Sequence, residues 1–299
     1  MKQETLKPQQ LLLPKLQDVL FIALFIGVIG LGARTFNIDG DLGRHLTIGE
    51  YILQTLSIPR EDLFSHSMAG EKLTPHEWLA QLIFALAFRF AGLDGVVLLC
   101  ALVIAVTFTL AFRQSYKRSR LLLISLGWTI LAAAAASLHW LARPHIFTLL
   151  LVVLWVGELD GFRRGEHNRW WIFPLLMLLW ANLHGAFIAG FVIWGMYFVG
   201  ELWDKWMITD EKGMAAGRLR LWLIIGATSI LASLFNPAGW RLWETSFGFI
   251  RNRYLVSHTA EYLPPNFHNP SIWPFLVMIG LSIMILARSR FRIPGAYVL

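Results

Sequence analysis

Two carboxylates separated by one glycine follow directly on a long apolar run, in Asn37-Ile38-Asp39-Gly40-Asp41-Leu42-Gly43-Arg44-His45. Ionisable groups where hydrocarbon gives way to water are costly to desolvate and are seldom idle. A carboxylate at Asp39 or Asp41 can act as general base towards a hydroxyl, or hold a divalent cation through oxygen ligands. Turn aspartates also accept hydrogen bonds from their own backbone, which accounts for either acid taken alone. The pair is set apart by Arg44 and His45, a fixed cation and a titratable imidazole a few residues on.

Similar groups recur further along the chain. His76 and Glu77 open a helical stretch, where the macrodipole favours an acid at the N-terminus. Arg143 lies in His139-Trp140-Leu141-Ala142-Arg143-Pro144-His145, between two apolar runs and beside a turn fixed by Pro144. An arginine at lipid-headgroup depth is suited to bidentate phosphate binding, and equally to snorkelling towards lipid headgroups. Asn182 and His184 form the polar break in Asn182-Leu183-His184-Gly185. The candidate catalytic residues are therefore Asp41 and Asp39. The candidate substrate-binding residues are Arg44, His45, His76, Glu77, Arg143, His145, Asn182 and His184.

The elements that must position these groups follow from composition. The chain is 56% hydrophobic and 15% charged, and its mean hydropathy is +0.56. A soluble domain of 299 residues has no room to hide that much apolar surface, so the sequence implies a single all-α transmembrane domain over 1–299. The dyad alternation of a membrane β-barrel is absent. The net charge of +7 falls in short clusters between apolar runs, the pattern that orients a membrane protein rather than one that tracks nucleic acid. The single cysteine, Cys100, excludes an intrachain disulfide and a multi-cysteine metal site.

Apolar segments at 19–36, 95–112, 121–141, 146–160, 170–183, 186–203, 221–235 and 271–287 predict about eight transmembrane helices, the first a retained span rather than a signal peptide. One helix over 170–203 would run about 51 Å, far beyond a core of about 30 Å, so the chain must turn back at Asn182–Gly185. The fifth segment is short, about 20 Å, which places Asn182 and His184 in a recess below the surface. Seventeen of the 26 Lys and Arg fall on one side of this arrangement, so that side, with both termini, is expected to be cytoplasmic. The opposite side receives a first extracytoplasmic loop over 37–94, a last one over 236–270, and eight of the nine histidines. Within these loops 75–91 and 240–254 read as two interfacial amphipathic helices. The cytoplasmic loops read as connectors.

With these residues in place, the chain resembles GT-C-type membrane glycosyltransferases, in the bacterial branch related to dolichyl-phosphate-mannose-type protein mannosyltransferases. The likeness is carried by Asp39-Gly40-Asp41-Leu42, Gly49-Glu50-Tyr51-Ile52-Leu53, Ile58-Pro59-Arg60-Glu61-Asp62-Leu63-Phe64-Ser65 and His76-Glu77-Trp78-Leu79. Arg143-Pro144-His145, Trp180-Ala181-Asn182-Leu183-His184-Gly185, Asn236-Pro237-Ala238-Gly239-Trp240 and Pro264-Pro265-Asn266-Phe267-His268 continue it. The resemblance implies inverting transfer of a sugar from a polyprenyl-phosphate carrier to a glycan, lipid or protein acceptor, outside the plasma (inner) membrane. It implies a catalytic acid in the first outer loop, which maps onto Asp39 or Asp41. Arg143 and His145 then become candidates for stabilising the departing phosphate.

The chain departs from the family pattern at Gly43 and Arg44, where aromatic residues are usual, and family members usually have more spans. The alternative expectation is a non-catalytic membrane subunit or scaffold of a larger complex. A transporter fits less well, because the span interiors carry almost no ionisable residues.

Overall fold

The computed structural model describes residues 14–36, 38, 40–207, 216–259, 263–289 and 294–297. Asp39, one of the two candidate bases, lies outside them, as do Lys2, Lys7, Lys212, Arg290 and Arg292 of the orienting cations. The described residues form an all-helical bundle without strands; residues 61 and 72 meet in an isolated bridge. Its long helices are α1 Leu16–Phe36, α3 Trp78–Ser119, α4 Leu122–Ala136, α5 His145–Arg163, α7 Ile188–Met207, α8 Ala216–Ser233 and α11 Trp273–Arg288. Shorter helices are α2 Asp41–Thr55, α6 Ile172–Leu183, α9 Arg241–Arg251 and α10 Arg253–His258.

Among the described residues six helical segments are long and apolar enough to cross a membrane: Leu16–Phe36, Trp78–Ser119, Leu122–His139, His145–Arg163, Gly185–Trp206 and Pro270–Arg288. The last has no buried residue in its apolar window, and α1 leaves Val19, Ile22, Ile26 and Leu31 exposed. Contiguous apolar faces of this size are untenable in water and stable in hydrocarbon. The protein is an all-α membrane-embedded protein. Helix α6, with 12 residues, and α8, whose start carries Arg218 and Arg220, fall outside the six.

Contacts between named residues fix the helix directions. Phe162 stacks edge-on against Phe173 at 6.2 Å, while Thr148 meets His184 at 2.9 Å, so α5 and α6 are antiparallel. Arg163 pairs with Glu201 at 2.8 Å, so α7 returns alongside α5 and the chain does reverse at His184. That reversal needs one extended residue, His184 (φ −158°, ψ 141°), followed by a short 3-10 turn. Arg218 donates to the Phe162 carbonyl at one end of α8, and Asn236 to the Ala181 carbonyl just beyond its other end. The interior between α5, α6 and α8 is aromatic. Trp155 meets Phe173 edge-on at 5.3 Å, and Phe162 meets Trp222 at 5.1 Å. Each such pair contributes about 0.5–1.5 kcal/mol beyond its buried area.

Two parts of the first outer loop differ from expectation. The stretch after Gly40 is helical: Leu42, His45, Ile48 and Ile52 recur at helix spacing and are all buried, so α2 forms an amphipathic element beside α3. Gly40 admits the chain through a left-handed turn (φ +75°). The interfacial helix expected over 75–91 is the first part of α3, which bends at Ala91 and Gly92 (φ +61°) and then continues as an apolar span. Gly49 lets α2 approach α3 closely, since a Cβ there would sit 2.1 Å from the Gln81 carbonyl oxygen.

Candidate functional site

A cavity of about 630 Å³ opens at the end of the bundle where α1 ends and α3, α5 and α7 begin. Asp41, Arg44, His45, His76, Glu77, Arg143, His145 and His184 all line it. Residues from four separate stretches of sequence thus meet at one place. Asn182 does not. Its amide is buried behind the wall, where Oδ1 accepts from Trp78 Nε1 at 2.6 Å and from Asn236 Nδ2 at 3.3 Å. Nδ2 of Asn182 donates to the Leu178 carbonyl at 2.8 Å. The two asparagines thereby clamp the ends of α6 and α8, and their role is to hold the recess rather than to line it.

Glu77 is the centre of the arrangement. It is the residue preceding α3, at the N-terminal end of that helix. His76 Nε2 lies 3.6 Å and Arg44 Nη2 3.5 Å from Oε2, and His184 Nε2 lies 3.7 Å from Oε1. His45 Nδ1 is 4.0 Å from Oε2, too far to bond, and is left buried with no hydrogen-bond partner among the described residues.

Hydrogen bonds assign the imidazole tautomers. His76 Nδ1 faces the Thr74 carbonyl at 2.9 Å, so Nδ1 carries a proton and Nε2 is the nitrogen turned to Glu77. Thr148 Oγ1 accepts from Trp180 Nε1 at 2.9 Å and has His184 Nδ1 as the partner for its own proton. His184 therefore presents Nε2–H to the carboxylate. His145 Nε2 donates to the His139 carbonyl at 2.5 Å.

Burial keeps two of these rings neutral. Desolvation, reinforced by Arg44 and Arg143, pushes His45 down to about 3. Desolvation, with His145 and His76 nearby, does the same for His184, also to about 3. The fixed positive charge in the cavity is therefore carried by Arg44 and Arg143. Arg143 Nη2 lies 2.9 Å from Asp41 Oδ2, so the residue read as a phosphate ligand and a residue read as the base hold each other.

The rim adds residues that sequence reasoning passed over. Thr148 lies three residues after His145 on α5 and so shares its face, a spacing that marks it as a neighbour. Thr245, Ser246 and Phe249 come from the amphipathic helix α9, which closes one side of the cavity. Thr74 Oγ1 and Thr245 Oγ1 lie 2.9 Å apart and tie this helix to the residues before Glu77. No signal in the sequence joins those two threonines. Among the described residues no three His, Cys, Asp or Glu groups converge as a metal site, and a metal-binding role for the acidic pair would rest on Asp39, outside them.

No family model matches the chain, and neither a curated protein nor a solved structure matches it.

The opposite end of the bundle is more elaborate than a set of connectors. Asp160 receives Arg118 Nε at 2.6 Å and Arg164 Nε at 3.1 Å, and Tyr297 donates its hydroxyl proton to the same carboxylate. Arg163 bridges Glu201 and Asp204, at 2.8 and 3.4 Å. These ion pairs lock the C-terminal ends of α3, α5 and α7 together with the turn at Gly295–Tyr297.

Proposed function

We propose that the cavity is the active site of a GT-C-like membrane glycosyltransferase with eight membrane crossings and both termini cytoplasmic. It transfers a sugar from a polyprenyl-phosphate donor to a hydroxyl acceptor on the outer face of the plasma membrane. The observation that carries this reading is the meeting of two arginines with a histidine-flanked carboxylate in one recess at the edge of an apolar bundle. An anionic phosphate on a lipid carrier and an acceptor hydroxyl are the two chemistries such a recess suits.

In this reading the acceptor oxygen attacks the anomeric carbon as its bond to the phosphate oxygen breaks, which inverts the configuration. The hydroxyl proton passes to a carboxylate, and the polyprenyl phosphate leaves with the bonding pair. Glu77 suits the base better than Asp41. It has His76, part-exposed to the cavity, as an outlet for the proton, and its arginine, Arg44, stands off at 3.5 Å, whereas Arg143 holds Asp41 at 2.9 Å. Arg44 and Arg143 offset charge gathering on the phosphate.

The test is transfer of labelled sugar from polyprenyl-phosphate donors in membranes. Loss of turnover in Glu77→Gln with normal insertion supports the assignment. Loss in Asp41→Asn but not in Glu77→Gln returns the base to the first acidic pair. The closed Asp41–Arg143 pair also favours a second reading, a non-catalytic subunit whose cavity docks a lipid-linked ligand. Absence of turnover by the wild type with every donor selects it.

A further inference from the structure

A second cavity, about 690 Å³, lies at the far end of the bundle between the end of α3 and the end of α5. Its wall runs along α5 from Val152 to Arg164. At 1.5 Å per residue that is about 18 Å, more than half of a hydrocarbon core of about 30 Å. The deep part is mainly apolar, with half-buried Val152, Val153 and Val156, and the Gln114 amide there is tied up by donating to the Val153 carbonyl at 3.0 Å. The mouth is ionic.

The charges at the mouth are layered. Lys117, Arg164 and Arg169 have side chains at least 42% exposed, whereas Glu158 and Asp160 are at most 21% exposed, with Arg118 and Glu166 between. Arg118 and Lys117 hold the Glu166 carboxyl down to about 2, so it stays ionised between them. Lys117 meets Glu166 at 2.6 Å and Arg169 meets Glu158 at 3.0 Å, each through one nitrogen that bears further protons. What the cavity offers to its surroundings is therefore a cationic rim above an apolar slot. A soluble anion satisfies only the rim, and a neutral lipid only the slot.

We propose that this second cavity binds an anionic phospholipid of the leaflet opposite the outer site, its phosphate at Lys117, Arg164 and Arg169 and an acyl chain along Val152–Val156. Basic pockets between helices at a membrane face are a recurrent way of holding such headgroups. The site is independent of the transfer reaction.

The experiment measures thermal unfolding of the full chain in phosphatidylcholine nanodiscs, with phosphatidylglycerol titrated in. Glycerol phosphate is the soluble probe with the same phosphate. Phosphatidylglycerol is expected to raise Tm, and glycerol phosphate to leave it unchanged. Lys117→Gln with Arg169→Gln removes two exposed cations and should weaken the phosphatidylglycerol response roughly thirtyfold in concentration. Val156→Trp fills the slot without changing charge and should weaken it as well, which keeps the test intact should the charge variant fold poorly. Equal stabilisation by added phosphatidylcholine, a response to glycerol phosphate alone, or an unchanged response in these variants would overturn the proposal.

Discussion

Arg143 Nη2 and Asp41 Oδ2 lie 2.9 Å apart, joining the turn before α5 to the first turn of α2. Both side chains are part-exposed, so the pair adds little stability of its own. Its consequence is positional: it sets where α2 places Arg44 and His45 over Glu77. Asp41→Asn and Arg143→Lys should therefore each weaken donor use, the second through lost bidentate geometry. A double-mutant cycle on donor KM checks this. We expect a coupling of about 0.5–3 kcal/mol between the two; additivity would dissolve the link.

Glu77 should be the more sensitive carboxylate in catalysis. Glu77→Gln keeps the shape and removes the basicity, and general-base catalysis is typically worth about 10²–10⁴-fold. We expect a fall of that size in kcat, with normal insertion and a KM changed far less. A fall confined to KM would make Glu77 a binding group.

Gly49 should not tolerate a side chain. Alanine in a helix interior ordinarily gains about 1 kcal/mol over glycine. Here the added Cβ would lie 2.1 Å from a backbone carbonyl of α3, which cannot swing aside as a side chain can. Overpacking typically costs about 1–3 kcal/mol, so Tm should fall in the order Gly, Ala, Val. A stabilised Gly49→Ala would show that α2 sits farther from α3.

Stability should depend on pH through the buried imidazoles. His45 and His184 are both lowered from 6.5 to about 3. Between those values the unfolded chain binds more protons than the folded one, so stability is full above about 6.5 and is lost progressively as pH falls towards about 3. Thermal unfolding in micelles at stepped pH should show this, and His45→Phe should flatten the slope. An unchanged slope in that variant would remove His45 from the account.

Orientation can be read with an impermeant thiol reagent. Ser67 is exposed between α2 and α3, at the end of the bundle that holds the outer cavity, and the native Cys100 is fully buried. Ser67→Cys should label in intact cells and Lys117→Cys only after the membrane is opened. The reverse pattern would invert the assignment of sides.

The sequence by itself determined the medium and the approximate helices. Apolar runs near the length of a bilayer core leave few alternatives, because every backbone polar group in hydrocarbon must bond within its own helix. Helices occupy all of the eight apolar segments read from it, and the break at Asn182–Gly185 falls where the 12-residue α6 ends. Reading the ionisable groups beside the apolar runs selected eight of the nine ionisable residues that line the cavity. The helix at Asp41–Thr55 was also legible, in the spacing of Leu42, His45, Ile48 and Ile52, but Asp39-Gly40-Asp41 drew attention as a loop.

Only the tertiary structure decided the roles. Asn182 and His184 are two residues apart, yet one points into packing with Trp78 and Asn236 and the other into the cavity. Asp41 and Glu77 are equivalent as sequence signals, but Asp41 pairs closely with Arg143, whereas Glu77 sits among three imidazole rings with Arg44 farther off. The far-end ion pairs were hidden for the same reason. Periodicity reports which face of a helix is apolar, whereas the partner a charge finds depends on how several helices converge in space.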